Sequence, residues 1–178
     1  METIIFFSLR SLTMNHNFKQ FWMILLLAPP LLAVPKAKDP VIDAMEPYSQ
    51  IQKALSQDNF EKAKATAQTM KTLLDKTLKD PSKSRKALPV FEPALKELVS
   101  LSSSVKIEEM RITFGNLSKI FVTYLKEHPE ASKPYHLFFC PMFPQGYAFW
   151  IQAKAEPLQN PYWGSQMLDC GVKRPWKK

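Results

Sequence analysis

The chain has 178 residues, 46% hydrophobic and 22% charged, a balance that fits one globular domain and excludes a disordered polymer. Four glycines against fifteen prolines argue against a turn-rich β-sandwich or barrel and for helices joined by proline-marked loops. The net charge of +8 comes from lysines and arginines spread along the chain, often beside acids. No basic stripe interleaved with aromatics stands out, so nucleic acid is not an expected partner.

Residues 21–34 form an apolar run too short, and too broken by Pro29 and Pro30, for a membrane span of about 20 residues. Lys19 precedes it and the small residues Ala33 and Ala37 follow. This is the architecture of a cleaved export signal over residues 1–37, with Met14 as an alternative start that gives a signal of ordinary length. No cysteine lies near the cleavage region, which excludes a lipoprotein, and no stable membrane span is expected after cleavage. Export places the protein in the periplasm or outside the cell, an oxidising setting in which cysteines can pair.

Residues 38–178 are expected to form a single helical-bundle domain. Asp39-Pro40 is a cap followed by a first-turn proline. Val41, Met45, Tyr48, Ile51 and Leu55 then mark one helical face. Asp58-Asn59-Phe60-Glu61 reads as an acidic capping box for a second helix carrying Phe60, Ala63, Ala67, Met70, Leu74 and Leu78. Residues 79–85 read as a polar loop. A third helix starts with Pro89 or Pro93 in its first turn, turns Leu95, Leu98 and Leu101 to the core, and ends at Ser102, Ser103 and Ser104. The fourth carries Ile107, Met110, Phe114, Leu117, Phe121 and Leu125, and Pro129 closes it. Four amphipathic helices with short connections predict a mainly α fold, an up-down four-helix bundle. Met45, Met70 and Met110 lie on the apolar stripes and read as core filler.

The pattern changes over residues 130–172, which form a tail module. Tyr135 to Cys140 is a β-prone run whose alternation puts His136, Phe138 and Cys140 on one face. Tyr147 to Gln152 is a second such run, and Pro144-Gln145-Gly146 between them is turn material, so a small β-hairpin is expected. Asn160-Pro161 starts a short helical turn, in which Met167 and Cys170 share a face, with Gly171 as its stop. Residues 173–178 read as a solvated, lysine-rich end.

Both cysteines of the chain lie in this tail, each with a methionine close by in sequence. Thiolate and thioether sulfurs are soft donors that select Cu(I). Cys140, Met142, Met167 and Cys170 are therefore the candidate metal ligands, with His136 as either a further ligand or a hydrogen-bonded core residue. The competing reading is a Cys140–Cys170 disulfide, whose loop contributes about 3–4 kcal/mol in the chain-entropy model. The oxidising compartment favours the disulfide and the flanking methionines favour metal. The two states exclude each other at any moment. Zinc fits less well because it does not ordinarily take thioethers. No enzyme is expected. The tail shows no neighbouring acid pair for proton transfer, and a strand spacing of four keeps Cys140 and His136 apart. No Gly-rich phosphate loop, Ser-His-Asp set or Cys-x-x-Cys pair is present.

Cys140-Pro141-Met142, Trp150-x-Gln152 and Asn160-Pro161-Tyr162-Trp163-Gly164-Ser165-x-Met167-Leu168-x-Cys170-Gly171 together resemble the signature of an uncharacterised periplasmic domain family. That family occurs alone or fused to adaptor subunits of heavy-metal efflux systems in Gram-negative bacteria. Upstream, Tyr48-x-x-Ile51-x-x-Ala54-Leu55-x-x-Asp58 resembles its first helix and Ile107-Glu108-x-x-Arg111-x-x-Phe114-x-x-Leu117-Ser118 its last. The resemblance implies a periplasmic helical bundle associated with copper or related metals, here standing alone. Its expected role is Cu(I) buffering, delivery or efflux with a heavy-metal efflux or copper-handling envelope protein. The different-class alternative is a disulfide-stapled interaction module that binds no metal.

Overall fold

The computed structural model describes residues 39–176. The expected export signal and its Met14 alternative start lie outside the described residues. Among the described residues, no helix is long and apolar enough to cross a membrane.

Asp39 accepts a hydrogen bond from the Val41 N–H at 3.1 Å, and Pro40 opens α1 (Pro40–Asp43). The expected first helix is broken here. Pro47 has no N–H to return to the Asp43 carbonyl, so the chain turns at Ala44 and restarts as α2 (Met45–Ser56). Asp58 then takes a left-handed backbone conformation, φ 55°, which ends α2 sharply. Asn59, not Asp58, caps α3 (Phe60–Leu78), its side chain accepting from the Lys62 N–H at 3.0 Å. Asp58 is thereby left free for another contact.

The third long helix begins earlier than its sequence suggested. Residues 79–85 are not a loop: Asp80 caps α4 (Pro81–Ser103), with Pro81 in its first turn, repeating the Asp39-Pro40 signal. Pro89 and Pro93 therefore sit inside α4, on its exposed side, where the missing backbone bonds face water. Its core face is Ala87, Val90, Phe91, Ala94, Leu98 and Leu101, with Leu95 only partly buried. α5 (Ile107–Glu127) follows and buries Met110, Phe114, Leu117, Phe121 and Leu125. The one-turn α6 (Pro129–Ser132) leads to the sheet. Met45, Met70 and Met110 are all fully or almost fully buried, as core filler should be.

The strands are β1 (Tyr135–Phe139), β2 (Phe149–Ala153) and β3 (Val172–Arg174). β1 is central, with both partners antiparallel: Tyr135 opposes Ala153 and Phe139 opposes Phe149 on one side, and Leu137 opposes Arg174 on the other. β3 corrects the expectation that the chain simply becomes solvated after Gly171. Its side chains are exposed, but its backbone pairs with β1, and the Trp176 indole N–H donates to the Tyr135 carbonyl at 3.1 Å. A short 3-10 turn, Gly164–Met167, lies between β2 and β3. The fold is thus mainly helical, with a small three-stranded antiparallel sheet.

Each long helix packs on the next in sequence, whereas α2 and α5 meet each other little, and β2 lies against both. Buried polar side chains fasten the strand and tail there. The Tyr48 hydroxyl pairs with the Ser118 hydroxyl at 2.7 Å and accepts from the Ile151 N–H at 3.1 Å. The Gln52 amide donates to the Gln159 carbonyl at 2.6 Å. Arg111 donates to the carbonyls of Pro161 and Leu55, at 3.1 and 3.2 Å, and to Asp58 Oδ1 at 2.5 Å. Asp58 Oδ2 accepts from the Ser165 N–H at 2.9 Å. Two glycines permit these close approaches. A Cβ on Gly115 would strike the Tyr147 carbonyl, and a Cβ on Gly164, at φ +55°, would fall on Asp58 and Arg111.

Burial pushes the Asp58 carboxyl up, but the hydrogen bonds from Ser165 and the Arg111 guanidinium outweigh it and hold the group below the usual 3.8. A depressed folded value means that the contribution is present above the unfolded value and lost as pH falls through the folded one. Stability is expected to decline below about pH 4, followed by urea unfolding across pH, and Asp58→Asn should reduce that slope. Asp39, held low by Lys86 and Tyr124 despite its burial, keeps the slope from vanishing. Arg111→Met should cost about 2–4 kcal/mol at neutral pH, because it strands a carboxylate and two carbonyls beside a buried aliphatic chain. An unchanged urea midpoint would show that the tail is held by other means.

Candidate functional site

Cys140 follows the last residue of β1, and the alternation of the strand turns it inward with Phe138. Its N–H donates to the Ala148 carbonyl at 3.0 Å, so the sheet-like pairing extends to this position. Its side chain is fully buried. Phe138 stacks on Trp150 at 5.3 Å, and Trp150 meets Tyr162 edge-on at 5.9 Å. Phe143 covers the other side of Tyr162 at 4.6 Å. This aromatic floor keeps water from the buried side of the thiol.

Cys170 arrives from the far end of the tail. The turn begun at Gly164 carries through to it, since the Cys170 N–H donates to the Met167 carbonyl at 3.1 Å. The next residue must be small, because a Cβ on Gly171 would lie 2.6 Å from the Trp150 ring. Burial, with Cys140 as a neighbour, pushes the Cys170 thiol above its ordinary value of 9.0. Both cysteines are free thiols, Cys140 buried and Cys170 partly exposed.

Asn160 brings the two segments together. It is fully buried, and its amide donates to Cys140 Sγ at 3.2 Å and to the Cys170 carbonyl at 2.7 Å. Its Oδ1 accepts from the Tyr162 N–H at 2.8 Å, an Asx-turn, and its backbone N–H donates to the Leu168 carbonyl at 2.7 Å. Sequence reading took Asn160 only as the start of a turn. The signal that could have singled it out is Asn-Pro beside a cysteine-bearing segment, where an Asx-turn leaves the amide free to donate elsewhere.

The methionines stand at the surface of this module, Met142 53% exposed and Met167 38% exposed. The Met142 carbonyl accepts from the Trp163 indole at 3.1 Å, which draws its loop toward the segment that bears Met167. His136 is placed elsewhere. Four residues of strand put it about 13 Å along β1 from Cys140. It packs edge-on against Phe138 and lies 3.5 Å from the Lys173 ammonium. Burial, Lys173 and Lys154 hold its imidazole below 6.5, and two ammonium groups beside it oppose a bound cation. The structure therefore joins Cys140 with Cys170 and leaves His136 out. Among the described residues, no three of His, Cys, Asp and Glu converge as a metal-holding group. Two clefts of about 520 and 480 Å³ are lined by neither cysteine. The cysteines are thus not part of either organic-sized cleft.

His128, at the end of α5, donates from Nδ1 to the Tyr124 carbonyl at 2.8 Å and stacks on that tyrosine at 4.0 Å. It is part of the helix terminus, far in sequence from the thiols.

Residues 44–133 match the model of a family described as "Protein of unknown function (DUF3347)". The chain belongs to this family. No curated protein and no solved structure matches it. The family match spans α2 to α6 and ends just before β1, ahead of both cysteines. Yet Tyr48, Gln52, Asp58 and Arg111, all inside the matched region, direct their hydrogen bonds to residues 151–165. The family's helical region thus carries the sockets for a tail that lies outside the match.

Alkylation of the native, reduced protein should label Cys170 and spare Cys140 until denaturant is added, scored by mass spectrometry. Asn160→Ala should lose about 1–3 kcal/mol, the range for stranding buried polar partners, and should bring the labelling rate of Cys140 close to that of Cys170. Equal labelling of both thiols in the unaltered protein would contradict the placement of Cys140.

Proposed function

We propose that the protein is a non-enzymatic Cu(I)-binding protein of the Gram-negative envelope, periplasmic or secreted, that buffers copper or delivers it to a heavy-metal efflux or copper-handling partner. The observation that carries this reading is that the buried Asn160 amide bonds both the Cys140 sulfur and the Cys170 carbonyl, which gathers two cysteines thirty residues apart at one place. Two thiolates supply charge and softness matched to Cu(I), and Met142 and Met167 offer thioethers at the exposed side, where a partner could take the ion by stepwise ligand exchange. The tail sequence, similar to that of domains fused to efflux adaptors, supports the same role. In this reading the long helices are an up-down four-helix bundle, and β1 with β2 is the hairpin that presents Cys140.

The same placement supports a second reading from a different class. A Cys140–Cys170 disulfide would staple the tail, and the protein would then act as an interaction module without metal. Thioethers separate the two. A staple has no use for Met142 and Met167, whereas a Cu(I) site does.

Anaerobic Cu(I) titration of the reduced protein against a competing chelator should give one tightly held ion per chain. Cys140→Ser should abolish it. Met142→Leu with Met167→Leu should weaken it by about tenfold or more, equivalent to about 1.4 kcal/mol, without lowering thermal stability. Unchanged affinity in the methionine double variant would remove the thioethers from the site, and no copper uptake by the reduced protein would leave the stapled module.

A further inference from the structure

The two thiols are also a stored pair of electrons. Asn160 holds the Cys140 sulfur at 3.2 Å and the Cys170 carbonyl at 2.7 Å from one side chain. Closing a bond between the two sulfurs would join two segments that Asn160 already ties together. Cys170 is partly exposed and Cys140 is fully covered, so an incoming ion reaches Cys170 first, and a sulfur oxidised there finds Cys140 before it finds another molecule.

We propose that the Cys140–Cys170 dithiol reduces Cu(II) to Cu(I), stoichiometrically, at the same site that binds Cu(I). Two Cu(II) ions and the dithiol give two Cu(I) ions, one disulfide and two protons. The S–H bonds of Cys140 and Cys170 break, their protons pass to solvent, the S–S bond forms, and each copper takes one electron. Cu(II) prefers nitrogen and oxygen donors, whereas the product ion prefers sulfur. Disulfide formation consumes the thiolate ligands, so the Cu(I) produced is held only loosely, by the exposed thioethers of Met142 and Met167, and passes to a chelator or partner. The spent disulfide must be reset by thiol–disulfide exchange with an external dithiol. That dithiol attacks at Cys170, the sulfur it can reach, and Cys140 is the leaving group. This inference takes the choice of metal from the proposed function but concerns electron transfer rather than storage.

The test mixes the reduced chain with Cu(II) anaerobically, in the presence of a chromogenic Cu(I) chelator. The expected result is two Cu(I) per chain, loss of both free thiols and a mass lower by two hydrogens. Cys170→Ser should slow Cu(I) production at least tenfold, because the remaining thiol is buried. Cys140→Ser should divert the reaction to covalent dimers joined through Cys170. Circular dichroism confirms that each variant is folded. If a variant fails to fold, the order of events is read in the unaltered protein, by trapping with an alkylating agent during turnover. Intact thiols after Cu(II) exposure, or Cu(I) production by Cys170→Ser at the unaltered rate, would overturn the inference. Tight Cu(I) binding without Cu(II) reduction overturns this inference and leaves the storage reading standing. Reduction without tight Cu(I) binding supports this inference and removes the storage reading.

Discussion

The buried guanidinium of Arg111 is the constraint on which the tail depends. A charge out of water is costly unless its hydrogen bonds are met and an opposite charge lies near. Arg111 meets this with Asp58 and with the carbonyls of Leu55 and Pro161, one from the end of α2 and one from the tail. Asp58 in turn receives the Ser165 N–H, so a single ion pair joins α2, α5 and the 3-10 turn. The left-handed backbone of Asp58 and the missing side chain at Gly164 are the local conditions for it. Asn160 and Cys170 lie on either side of this anchor in sequence, so their positions follow from it.

This arrangement gives the helical region an unusual division of labour. Its apolar stripes pack helix against helix, but its buried polar groups mostly serve the tail. Tyr48 and Ser118, on α2 and α5, form a hydroxyl pair that receives the Ile151 backbone of β2. Without the strand, those hydroxyls and the Arg111 guanidinium would line an open seam between two helices that touch each other little. The tail is therefore a structural part of the fold.

Much of this was legible in the sequence, for reasons that differ by element. The α3 and α5 stripes were read directly because a 3.6-residue period is a local signal, and the strands because alternation is. The start of α4 was misread. Asp80-Pro81 carries the same cap signal as Asp39-Pro40, but the later prolines Pro89 and Pro93 drew the boundary toward them. β3 was invisible because Val172, Lys173 and Arg174 are all exposed, and their order comes from backbone pairing that no side-chain pattern encodes. That both cysteines fall in the tail was legible in the sequence. Asn160 was not, since its role rests on contacts ten and twenty residues away, and His136 was grouped with the sulfurs by a face alternation that says nothing about distance along the strand.

The two cysteines are placed unequally. Cys140 continues a central strand, is fully covered, and sits on an aromatic floor, so its sulfur is a fixed point. Cys170 hangs from a short turn between the 3-10 helix and an exposed strand, with open chain on its outer side. Segments with few buried contacts open at lower free energy than core strands. A ligand on the firm side fixes where the second sulfur must come, while the one on the loose side can leave without disturbing the core. Under either proposed reading, metal exchange or disulfide closure, this asymmetry would leave one sulfur to stay and one to move.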